Sequence, residues 1–145
     1  MSETYVFDTE AVIAYLYSEP GHEVVSEYLT AVRDGNAEGL LAETNAAEVF
    51  YLVARFEGVD GTPTDASRRV ADRDVRALQR LGIEIRRVEW RLVGEIKGAG
   101  RISLADTHAV ALAAETDSTL LAGGDDDFDD LPVDVAVTRF RDEGV

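Results

Sequence analysis

Apolar residues fall along this chain in two alternating rhythms, short unbroken runs and longer stretches at helical spacing. TYVFD (4–8) has the length and content of a buried strand, and GLLA (39–42), IEIRRV (83–88), STLLA (118–122) and VDVAV (133–137) repeat the signal. Between the strands, Thr9 is set to cap a helix carrying Ala11, Val12, Ala14 and Tyr15. Pro20 opens a second helix with Val24, Val25, Tyr28, Leu29 and Val32, closing near Gly35. From Asn45 a third helix puts Val49, Leu52, Val53 and Phe56 on one face and stops at Gly58. VDGTPTD (59–65) is the clearest loop and leads into an Arg-rich helix over about 65–81. A short helix starts at Glu89, a glycine-broken GAGR follows, and another helix opens at Ser103. Strands alternating with helices predict an α/β fold, a three-layer α/β/α sandwich around a mostly parallel, roughly five-stranded sheet. With no internal repeat or linker in view, residues 1–145 read as a single domain.

That architecture says where chemistry belongs. In open parallel sheets, sites form beyond the carboxyl ends of the strands. Asp8 ends the first strand, and Asp125 follows the fourth after a Gly-Gly bend. Glu48 and Asp106 each fall in the first turn of a helix. Strands lying side by side would bring these four carboxylates together. Each has a structural alternative: Asn45-Ala-Ala-Glu48 and Ser103-Leu-Ala-Asp106 have capping-box spacing, Asp8 suits a strand-end turn, and Asp125 suits a solvated loop. A shared cause accounts for all four at once, because carboxylates gathered in one pocket stay ionised only against a counter-charge. The chain has no cysteine and only two histidines, His22 and His108, so a metal here must be held by oxygen. That points to Mg2+ or Mn2+. Such an ion acidifies a bound water and neutralises charge on a phosphate oxygen as a phosphodiester is attacked.

Charge changes the picture in two ways. A net charge of -15 repels itself in dilute buffer and is screened at high salt, which suggests a salt-adapted protein and blunts any argument from acidic residues alone. The positive charge is also localised: residues 68 to 101 carry ten of the fourteen basic side chains against five acids. Within that stretch Arg69, Arg73, Arg76 and Arg80 recur at helical spacing. They form either a solvated face or a docking strip for a polyanion or an acidic partner. No run approaches the ~18 apolar residues of a membrane span, and MSETYVFDTE lacks a secretory pattern, so a cytoplasmic protein is expected by default.

The ordered set of Asp8-Thr9 after a strand, Glu48 in TNAAEVFYLVAR, Asp106 in ISLADTHAVALAA, and Asp125 and Asp127 in LLAGGDDDFDDL resembles the PIN-domain ribonucleases, and within them the VapC-type toxins of toxin-antitoxin pairs. The resemblance covers nearly the whole chain. It implies a Mg2+- or Mn2+-dependent endoribonuclease that cuts single-stranded RNA and leaves a 5'-phosphate. Asp8, Glu48, Asp106 and Asp125 would form the catalytic, metal-holding quartet, with Asp127 as an accessory. It also implies a homodimer held inactive by a small antitoxin. Two positions depart from the family's pattern: Glu10 and Gly123 stand where members often carry small hydroxyl residues.

The remaining candidates have plainer roles. Phe128 and Leu131 are expected to anchor the acidic loop, with Asp126, Asp129 and Asp130 solvated. His108 reads as a partly buried polar residue and Trp90 as a packing residue, while Tyr51 and Arg55 flank the Glu48 face. Two alternatives to the nuclease stand. One is a haloacid-dehalogenase-like phosphatase with Asp8 as nucleophile, which needs an acid at position 10 and a lysine, for which Lys97 is the sole candidate. The other is a partner-binding domain that keeps the fold without turnover.

Overall fold

A computed structural model of the chain describes residues 3–123 and 128–141. Strand β1 (Glu3–Phe7) leads into helices α1 (Thr9–Tyr17) and α2 (His22–Arg33), and β2 (Ala37–Ala42) into α3 (Glu43–Phe56) and α4 (Asp65–Leu81). β3 (Ile83–Arg86) is followed by α5 (Trp90–Ala99) and α6 (Leu104–Thr116), then β4 (Thr119–Ala122) and β5 (Val137–Arg139). All pairings are parallel, in the order β3-β2-β1-β4-β5, so β1 lies at the centre and its carboxyl end is flanked by those of β2 and β4.

The side-chain period of a strand sorts the core into two halves. Phe7, Leu41 and Leu121 point to one face and pack with apolar residues of α1 to α4. Val6, Leu40 and Leu120 point to the other and pack with α5 and α6. Each fully buried Phe or Leu contributes roughly 2 kcal/mol of transfer free energy. The three expected layers follow directly. Helix α6 is buried around most of its girth, from Ala109 to Ala113, and its small residues let it lie close to the sheet. Among the described residues, no helix is long and apolar enough to cross a membrane.

Strands β1 to β4 differ from the sequence expectation by one or two residues at their ends, and four other boundaries differ for identifiable reasons. Asp8, not Thr9, caps α1, because its carboxylate reaches the Ala11 N–H. Helix α2 starts at His22 rather than Pro20: Gly21, at φ 89°, turns the chain sharply just before it. Helix α3 begins at Glu43, two residues before Asn45, so the Asn45–Glu48 capping box does not form. The last strand is displaced from 133–137 to 137–139. Its register aligns Val137 with Leu120, and residues before 136 lie beyond the start of β4, where Asp117 adopts a left-handed conformation at the end of α6. Val133 and Val135 still pack on the core, but without a strand to pair with. By contrast, α4 spans the expected residues, closed by a Thr64–Ser67 capping box.

Candidate active site

Asp8 leaves β1 at the centre of the sheet, its N–H donating to the Leu121 carbonyl at 3.2 Å. It is 1% exposed. Its Oδ1 accepts the Ala11 N–H at 2.6 Å, and the Gly123 N–H donates to the same carboxylate. Two backbone donors and a helix N-terminus favour the anion. Burial outweighs them, and with the negative charges of Glu10 and Asp106 pushes the Asp8 pKa from 3.8 up to about 8. Among the described residues, this buried acid has no positive partner.

Asp106 is brought to Asp8 by the start of α6, where Ser103 caps the helix by accepting the Asp106 N–H at 3.1 Å. The two helix starts are tied by Asn45, a fully buried residue of α3. Its Nδ2 donates to Thr9 Oγ1 at 2.9 Å and to the Ala105 carbonyl at 3.2 Å. Asn45 thus touches the neighbour of each acid, while its own buried Oδ1 has no hydrogen-bond partner among the described residues. The sequence reading gave Asn45 a capping role. Nothing local marks its true one, because its partners come from two distant segments.

Glu48 lies one turn beyond Asn45 on α3 and accepts from Tyr51 Oη at 3.4 Å, with the Arg55 guanidinium over the Tyr51 ring at 4.8 Å. Asp125 and Asp127, and with them Asp126, lie outside the described residues. The structure thus brings Asp8, Asp106 and Glu10 into electrostatic contact. Among the described residues, no group of three or more potential ligands is gathered closely enough to hold a metal ion. The chemistry of the donors still fits a hard cation: oxygen only, anionic, and buried at Asp8.

The surroundings are mixed. Phe128 is buried and Leu131 packs on the same cluster, as anchors of the acidic loop should. Asp129 is not simply solvated, since it pairs with Arg139 at 2.6 Å. His108 is half-buried and donates from Nδ1 to the Leu104 carbonyl at 2.8 Å. It also lines a cavity of about 180 Å³ with Glu43, Thr44, Arg87 and Val88. Trp90, expected to pack, is 81% exposed at the start of α5. The Arg69, Arg73, Arg76 and Arg80 side chains are exposed on α4. Two of them already have acidic neighbours, Arg73 with Asp74 and Arg76 with Asp72.

Comparison with known proteins agrees with the fold. The PIN domain model matches residues 5–134, and the chain belongs to that family. Its fold is similar to VapBC2 from Rickettsia felis, a structure bound to a promoter DNA fragment (TM-score 0.70, 14% identity, 94% of this chain and 98% of that one). It is also similar to FitAcB from Neisseria gonorrhoeae (TM-score 0.65, 20% identity, 92% and 95%). A third is VapC20 of Mycobacterium tuberculosis, described as a sarcin-ricin-loop-cleaving toxin (TM-score 0.55, 13% identity, 80% and 86%). A search of curated proteins gives no match.

Proposed function

We propose that this chain is a divalent-metal-dependent endoribonuclease, the toxin of a toxin-antitoxin pair, hydrolysing phosphodiester bonds in single-stranded RNA. The observation that carries the reading is the buried Asp8 carboxyl, pushed up to about 8 beside Asp106 and Glu10. Capping α1 accounts for the position of Asp8 but not for gathering further carboxylates around a buried acid, which a cation would stabilise. Asp8, Glu48, Asp106 and Asp125 are the residues to hold Mg2+ or Mn2+, with Asp127 as an accessory. The ion, when bound, supplies charge neutralisation at the phosphate and a more acidic water.

The chain's own groups orient this centre. Ala11 and Gly123 N–H fix the Asp8 carboxylate, and Asn45 fixes the helices that bear Asp8's neighbour and Asp106. Tyr51 restrains Glu48. RNA is then bound largely through its phosphates, for which Arg69, Arg73, Arg76 and Arg80 supply positive charge. The same strip suits an acidic antitoxin segment, and the likeness to VapBC2 supports such a partner, with a homodimer proposed alongside it. A phosphatase with Asp8 as nucleophile is less well supported, because Glu10, the acid it requires, is engaged with Arg141.

The test is cleavage of single-stranded RNA with Mn2+ or with EDTA, by the wild type, Asp8→Asn and Asp106→Asn. Metal-dependent cleavage lost in both variants is expected. Inert wild type without measurable Mn2+ binding would sink the nuclease and leave a partner-binding domain.

A further inference from the structure

Glu10 and Gly123 meet between the first turn of α1 and the end of β4. A Cβ on Gly123 would fall 2.4 Å from Cδ and Oε2 of Glu10 and 2.6 Å from Oε1. The Glu10 carboxylate therefore fills the space that any other residue would need at 123. The backbone does not ask for glycine there, because Gly123 is absent from the residues with positive φ. Only the space does.

On its other side the carboxylate meets Arg141 from the segment after β5, Nη1 to Oε1 at 3.4 Å. Arg141 also faces Glu19 at 3.8 Å, lies over the Phe140 ring at 4.7 Å and is only 14% exposed. Its buried Nε and Nη2 have no hydrogen-bond partners among the described residues, where the nearby carboxylates offset the cost of burying its charge. The Gly123 carbonyl accepts from Arg139 Nη1 at 2.8 Å. Gly123 is thus held at its N–H by Asp8, at its carbonyl by Arg139, and across its bare α-carbon by Glu10.

We propose that Glu10, locked by Arg141 against Gly123, is a positioning residue that keeps the Gly123 N–H on Asp8 and so fixes the acidic site for its cation. Glu10 and Gly123 are a matched pair: a side chain at 123 displaces the Glu10 carboxylate from the place it holds against the α-carbon. The inference rests on the cation-binding reading of the site given above.

Its test is a double-variant cycle of Glu10→Ala, Gly123→Ala and the two together in the full chain, read by calorimetric Mn2+ titration with thermal unfolding alongside. Each single change should weaken Mn2+ binding by about tenfold, the scale of lost support around metal ligands. The double variant should lose no more than the worse single one, because both break the same contact. Glu10→Gln, which keeps the volume and an acceptor for Arg141, should recover most of the affinity. Losses that add, or unchanged Mn2+ affinity with only a lower unfolding temperature, would overturn the proposal. If Gly123→Ala fails to fold, recovery of folding in the double variant is itself the expected coupling, and its absence counts against. Wild type that takes up no Mn2+ removes the nuclease reading and this inference together; wild type that binds while the variants bind equally well removes the inference alone.

Discussion

Replacing Asp8 by Asn should stabilise the metal-free protein at neutral pH. The sign follows from the direction of the shift. The folded state holds the Asp8 proton up to about 8, whereas an unfolded aspartate gives it up near 3.8. Stability from this group is therefore full below the lower value and falls as pH rises between the two. At ~1.4 kcal/mol per pH unit, the loss accumulated by pH 7 is about 4 kcal/mol. Asn carries no charge and escapes it. Asn keeps one oxygen for the Ala11 N–H, but its amide nitrogen cannot accept from Gly123, which returns about 1–2 kcal/mol. The net gain is about 2–3 kcal/mol at pH 7 and near zero or negative below pH 4, as the preceding terms require. Urea unfolding in EDTA across pH 3.5 to 8.5 measures it. Mn2+ should stabilise the wild type and leave Asp8→Asn unmoved. A variant less stable than wild type at pH 7 in EDTA, or a difference independent of pH, would refute the claim that Asp8 is a buried acid lacking a counter-charge.

Three further outcomes are expected. Asn45→Ala leaves Thr9 Oγ1 and the partly buried Ala105 carbonyl without their donor and should cost about 2–4 kcal/mol in urea unfolding, where a loss below ~0.5 would deny Asn45 its bridging role. Arg69→Glu with Arg80→Glu, two arginines without an ion pair among the described residues, should weaken RNA or antitoxin binding by about tenfold at low salt and less at high salt. Equal affinity would mark the strip as a solvated face. With a net charge of -15, the urea midpoint should rise between about 0.1 M and 1 M KCl as the Debye length falls from ~10 Å to ~3 Å, and a flat or falling midpoint would count against salt adaptation.

What could be read in advance was what is encoded locally. Buried parallel strands announce themselves as short apolar runs, and α4 carries its own start signal in Thr64 and Ser67, so these elements were found where they lie. The last strand was misplaced because its extent is set by β4, the strand it pairs with, and not by its own alternation of Val and Asp or Ala. The pairing of Asp8 with Asp106 was legible from topology, since both follow from strands and helices ending at one edge. The Asn45 bridge and the Glu10–Arg141 contact were not, because each joins residues distant in sequence whose local settings suggest ordinary capping or solvation.

The central place of β1 bears on how the molecule is made. Strand β1 is made before either of the neighbours it needs, residues 37–40 on one side and 119–121 on the other. Asp8 cannot settle into its pocket until Leu121 and Gly123, far later in the chain, have been synthesised. Whatever this centre does, a growing chain cannot do it, and a truncated one lacking β4 is left with an unfinished edge where the chemistry should be.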